Sequence, residues 1–125
     1  MKFASIRLVT NDIDRLVAFY ELLTGVAAER PNPGFGQLRL SGVTLAISSE
    51  GFIRQFNAGA AVAGANRSVL IEFQVDDVEA EQVRLKDAVE VVMAPATMPW
   101  GNRSMILRDP DGNAVNVFAL PRNAD

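Results

Sequence analysis

Apolar and polar residues alternate through residues 3–9, Phe-Ala-Ser-Ile-Arg-Leu-Val. That period puts Ile6 and Leu8 on one face of a strand and Ser5 and Arg7 on the other. Thr10-Asn11-Asp12 then offers a helix N-cap, and the period changes to 3.6 over residues 13–24. Ile13, Leu16, Val17, Tyr20 and Leu23 or Thr24 form the apolar stripe, and Gly25 stands where a left-handed C-terminal residue belongs. Tyr20, on that stripe, reads as core. Pro31, Pro33, Gly34 and Gly36 are turn signals, followed by two short strands over residues 37–40 and 43–48 joined at Ser41-Gly42.

The second half repeats this order. Residues 68–75 read as a strand, Asp76-Asp77 as a cap, and residues 78–87 as a weaker helix. Strands follow over residues 89–94, 104–108 and 114–119, with the turn Asp109-Pro110-Asp111-Gly112 before the last. Gly112 should take positive φ, and the turn carboxylates should be solvated. A shift of 65 residues lays Asp12-Ile13 over Asp77-Val78, an internal repeat of a βαβββ unit.

Module 1 covers about residues 1–48 and module 2 about residues 68–120 of a single 125-residue domain. The Gly- and Ala-rich linker over residues 49–67 is long for a compact domain. It reads either as a flexible connector or as a crossover whose Phe52, Ile53 and Phe56 pack on a partner or over a cleft.

Composition narrows the chemistry. The chain has neither cysteine nor histidine, so a thiolate nucleophile, a Ser-His-Asp triad and an imidazole metal ligand are excluded. Twelve basic against fifteen acidic residues give a net charge of −3, and the basic ones are scattered, which argues against nucleic acid. No stretch approaches the roughly 20 apolar residues of a membrane span, and Met1-Lys2-Phe3 leads directly into the first strand. The expectation is a cytoplasmic protein without a membrane partner.

Residues 11–20, Asn-Asp-Ile-Asp-Arg-Leu-Val-Ala-Phe-Tyr, resemble the first-helix signature of the glyoxalase/bleomycin-resistance/dioxygenase (vicinal-oxygen-chelate) superfamily. Trp100-Gly101-Asn102-Arg103 and Arg108-Asp109-Pro110-Asp111-Gly112-Asn113 resemble its closing hairpin. With the repeat, the resemblance covers essentially the whole chain. It implies an α+β fold of two tandem βαβββ modules whose sheets form a curved half-barrel cleft.

Metal-dependent members of that superfamily hold a divalent ion with one residue on the first and one on the last strand of each module. The resemblance assigns those four positions to Ser5, Ala46, Leu70 and Asn116. Leu and Ala cannot ligate a cation, and Ser and Asn are weak neutral ligands. No metal, no other cofactor and no metal-dependent glyoxalase or dioxygenase chemistry is therefore expected. The chain departs from the enzymes toward the superfamily's metal-free, dimeric binding proteins, some of them drug-sequestering resistance proteins.

The resemblance implies that those four positions point into the cleft, and the period of two then places Ser5, Arg7, Gln37, Arg39, Thr44, Ala46, Ser48, Leu70, Glu72, Gln74, Asn116 and Phe118 toward it. Ile6, Leu8, Val69, Ile71, Phe73, Val75, Val115 and Val117 face the helices. Candidate ligand-binding residues are Arg7, Arg39, Glu72, Gln74, Trp100 and Asn116. Glu72 either pairs internally with Arg7 or Arg39, or awaits a cationic or hydrogen-bonding ligand, or acts as a base. The arginines could equally clamp an anion. Trp100, the sole tryptophan, either plugs the end of the core or walls the cleft mouth, with Phe35 and Phe56 as weaker candidates for an opposite wall.

The leading expectation is a homodimer that binds and sequesters a drug-like or metabolite ligand in the inter-module cleft, with no catalytic residue. A metal-independent enzyme with Glu72 as general base is the second, with Arg7 or Arg39 polarising the substrate. A degenerate module acting through protein contacts is the third.

Overall fold

The computed structural model describes residues 1–122 and falls into two units, the first running to Ala65 and the second starting at Asn66. The first unit begins with β1 (Ser5–Thr10) and α1 (Ile13–Thr24). Three strands follow, β2 (Glu29–Asn32), β3 (Phe35–Leu40) and β4 (Val43–Ser49), and then α2 (Glu50–Phe56). Its sheet has the order β1-β4-β3-β2, with β1 and β4 parallel and the other pairs antiparallel.

Helix α1 starts because Asp12 accepts the Arg15 backbone N–H at 3.1 Å, while Thr10 Oγ1 accepts that of Asp12, also at 3.1 Å. It stops at Gly25, whose φ of 71° lets its N–H reach the Glu21 carbonyl at 2.9 Å. Leu16, Val17, Tyr20 and Leu23 are buried as the periodicity predicts, and Phe19 joins them, its ring edge-on to Tyr20 at 5.0 Å. Leu8, Leu38, Leu45 and Ile47 are the buried strand residues on the helix side. The helix reaches the sheet at Gly36, where an added Cβ would lie 3.4 Å from Val17 Cγ2 and 2.8 Å from Arg30 Cδ.

Three readings in this unit are corrected. Residues 29–32, where Pro31 is a turn signal and no strand is read, form the edge strand β2, because an edge strand needs a ladder on one side only. The linker opens with α2, capped by Ser49 Oγ on the Phe52 N–H at 3.1 Å. Ile6, placed in the core, is 37% exposed near the start of the outermost strand.

The second unit repeats the design with β5 (Leu70–Gln74), α3 (Val78–Leu85), a 3₁₀ turn (Lys86–Ala88), β6 (Glu90–Thr97), β7 (Arg103–Arg108) and β8 (Ala114–Ala119). The sheet order is β5-β8-β7-β6, and β5 runs parallel to β8. Asp77 caps α3 through the Ala80 N–H at 3.1 Å. Ile71, Met105, Leu107, Val115 and Val117 make the core with Val78 and Leu85 of the helix. The chain is thus α+β, two βαβββ modules in tandem. Val69, expected to be buried, lies before the first strand and is exposed.

Asp109 is a further correction. The turn carboxylate expected in solvent is buried, accepting the backbone N–H groups of Asp111 and Asn113, each at 2.9 Å, and Asn113 Nδ2 at 2.7 Å. Gly112 has the expected positive φ, 85°. No helix among the described residues is long and apolar enough to cross a membrane.

Candidate functional site

Each sheet buries one face against its helix, and the candidate residues of the strands stand on the opposite face. In the first unit that face carries Arg7, Gln37 and Arg39, paired in register with Ala46 and Thr44 of β4. Helix α2 lies on it as well. It packs on β4 and β1, and Phe52 stacks toward Phe35 and Phe56 at ring separations of 5.9 and 4.8 Å. Ala46 and Ser48, read as open cleft residues, are buried in this unit, and the Ser48 hydroxyl has no hydrogen-bond partner.

The arginines have local partners. Arg7 Nη2 donates to Asn57 Oδ1 at 2.9 Å, just beyond the end of α2. Arg39 Nε donates to Glu29 Oε1 at 2.8 Å, and Gln37 Nε2 donates to Glu29 Oε2 at 3.0 Å. Those hydrogen bonds, from Gln37 first and then Arg39, hold the Glu29 carboxyl below its ordinary range. The internal ion pair foreseen for Arg39 is therefore made with Glu29. Sequence reading misses this acid because it reads no strand over residues 29–32.

In the second unit the face away from α3 carries Leu70, Glu72 and Gln74 on β5, with Asn116 and Phe118 on β8 and Ile106 on β7. Asn116 Nδ2 donates to Glu72 Oε2 at 2.8 Å across the parallel pair. An ionised carboxylate only accepts hydrogen bonds, so the Asn116 amide must turn its nitrogen toward Glu72 and its oxygen away. That oxygen is buried without a partner. Such an acceptor costs about 1–3 kcal/mol relative to a satisfied one. Gln74 is exposed two residues along the same strand.

Trp100 is 68% exposed, which removes the reading of a core plug. It sits in the β6–β7 loop, pinned by Met98 N–H to the Asn102 carbonyl at 2.7 Å and Gly101 N–H to the Met98 carbonyl at 2.8 Å. That loop backs onto Pro121, beyond the end of β8, while Glu72 and Asn116 pair in mid-strand.

Two hollows lie elsewhere. One, of about 730 Å³, is lined in the first unit by Pro33, Gly34, Phe52 and Phe56 among others. The other, of about 480 Å³, lies at the start of α3 beside Asp76, Glu79 and Arg103, whose Nη2 pairs with Glu79 at 2.6 Å. Neither includes Arg7, Arg39, Glu72, Gln74, Trp100 or Asn116.

The donor set does not suit a divalent cation. Leu70 and Ala46 carry no donor atom, Ser5 is a neutral hydroxyl, and Asn116 presents its nitrogen to Glu72 while its oxygen is buried. Among the described residues no three His, Cys, Asp or Glu side chains gather as a metal site.

The family model for the Glyoxalase/Bleomycin resistance protein/Dioxygenase superfamily matches residues 2–117. Among solved structures, a glyoxalase/bleomycin resistance protein/dioxygenase from Nocardioides is 26% identical, with a TM-score of 0.80 over 100% of this chain and 87% of that one. A glyoxalase-related enzyme from Fulvimarina pelagi is 24% identical at a TM-score of 0.81, covering 99% and 94%. A family enzyme from Burkholderia phytofirmans PsJN is 21% identical at 0.76, covering 93% and 96%. A search of curated proteins finds no match.

Proposed function

Because the chain belongs to the glyoxalase/bleomycin resistance protein/dioxygenase superfamily while its residues do not suit a divalent ion, we propose that it binds a small organic molecule without a metal. The protein holds its ligand rather than transforming it, in the manner of a sequestering protein, and acts as a homodimer. The observation that carries this reading is the pair Ala46 and Leu70, apolar at two of the four positions where metal-dependent relatives would need donors. A Lewis acid cannot be held by a methyl or an isobutyl group, whatever the neighbouring strands supply. What the exposed sheet faces offer instead is a carboxylate, amides and guanidinium groups beside apolar side chains, the usual lining of an organic-ligand site.

A thermal-shift screen tests the proposal. The panel holds flat cationic glycopeptides, aromatic acids, thioester and glutathione adducts, and divalent metals. A ligand at 100 times its Kd adds about 2.7 kcal/mol, an easily read shift. Stabilisation by one organic class supports the reading. Stoichiometric stabilisation by a divalent ion alone overturns it.

One observation favours a second reading. Asn116 holds Glu72 in place through one oxygen and leaves the other without a hydrogen bond among the described residues, as a general base would require. Turnover of any panel compound that is lost in Glu72→Gln with binding retained would select the enzyme, and unchanged turnover in that variant would remove Glu72 from it.

A further inference from the structure

The ligand class follows from what the β5–β8 face has left over. Asn116 Nδ2 spends one of its two N–H donors on Glu72. Beyond that bond Glu72 presents its second carboxylate oxygen, an acceptor without a hydrogen bond among the described residues. Among the described residues neither an Arg nor a Lys of the same unit forms an ion pair with Glu72, although Arg84 and Arg103 there each pair with another glutamate. The flanking positions on this face are apolar, with Leu70 exposed and Ile106 and Phe118 half-buried. An uncompensated carboxylate on an apolar platform is complementary to a cation that brings N–H donors and an apolar body.

Resting on the ligand-binding reading above, we propose that this face takes a small organic cation, a protonated amine. Its ammonium group donates to Glu72, and its body lies along Leu70 and Phe118. Glu72 selects for the charge, while Asn116 is a positioning residue that fixes the carboxylate rotamer.

The test titrates the isotopically labelled full-length chain at neutral pH with three probes of one shape. These are phenethylammonium, the neutral 2-phenylethanol and the anionic 3-phenylpropionate, each followed by amide and Asn116 side-chain NMR shifts. Saturable shifts at Leu70, Glu72 and Asn116 with phenethylammonium, and binding of the neutral probe weaker by about tenfold or more, are expected. Glu72→Gln, nearly isosteric at an exposed position, should remove that preference without changing the melting temperature. Should the variant fail to fold, the order of the three probes on the wild-type chain still decides. Equal or tighter binding of the neutral or anionic probe on this face overturns the cation and leaves the ligand-binding reading standing. If no probe shifts this face, the cation proposal falls. If the thermal-shift panel is also silent, the ligand-binding reading falls with it.

Discussion

Asp109 and Asn113 exchange three hydrogen bonds across the β7–β8 turn. The Asp109 carboxylate receives both the backbone N–H and the side-chain Nδ2 of Asn113, and the Asp109 N–H returns to the Asn113 carbonyl at 3.0 Å. Both residues are buried, and Asn113 Oδ1 also accepts Asn66 Nδ2 at 3.0 Å. The segment leading into β5 is thereby tied to the hairpin.

Asp109→Ala should therefore behave as a core mutation although it sits in a turn. It strands two backbone donors and an amide, so a loss of about 2–4 kcal/mol is expected from urea unfolding. A loss under about 0.5 kcal/mol would show that water replaces the carboxylate at no cost.

Gly25→Ala isolates backbone strain. An added Cβ would meet nothing within 4 Å, yet φ is 71°. The expected cost is about 1 kcal/mol, from conformation alone. Thermal melts should show it as a drop of a few degrees, without change in the ligand response.

Acid should loosen the β2–β3 edge. Glu29 is held ionised by Gln37 and Arg39, so its folded pKa lies below the ordinary 4.5. A depressed carboxylate contributes stability that is fully present above its unfolded pKa and is lost as the pH falls through the folded value. Carboxyl carbon NMR should place the Glu29 midpoint below that of an unstructured glutamate. Arg39→Met and Gln37→Leu should each move it back up. A midpoint at or above 4.5 in the wild type would show that these bonds do not persist in solution.

Trp100 reports its own environment. As the only tryptophan, and 68% exposed, it should emit like indole in water and be quenched freely by acrylamide. Trp100→Phe should change stability by no more than about 0.5 kcal/mol. A blue-shifted, quencher-resistant emission would mean that the side chain is covered in solution.

The elements with strong local signals were legible without coordinates. Asp12 and Gly25 bracket α1, the 3.6 period picks out Leu16, Val17, Tyr20 and Leu23, and the turn residues of 109–113 announce the final hairpin. These depend on contacts within a few positions of the chain, so neighbouring residues carry the whole instruction. β2 was not legible. Four exposed residues around Pro31 have no periodicity of their own and become a strand only because β3 offers them an edge. Helix α2 was hidden by a Gly- and Ala-rich context, although Ser49 supplies its cap.

For the site, residue types in the sequence settled which chemistries were possible. With no His or Cys anywhere, carboxylate, Arg, Lys, hydroxyl and amide groups are what remain. Which of them pair was decided by tertiary structure alone. Glu29 takes Arg39, Asn57 takes Arg7, and Asn116 takes Glu72, partners lying 10, 50 and 44 residues apart in the chain. Periodicity tells which face of a strand a side chain occupies, but the register between strands fixes which side chains meet, and register is a property of the folded sheet.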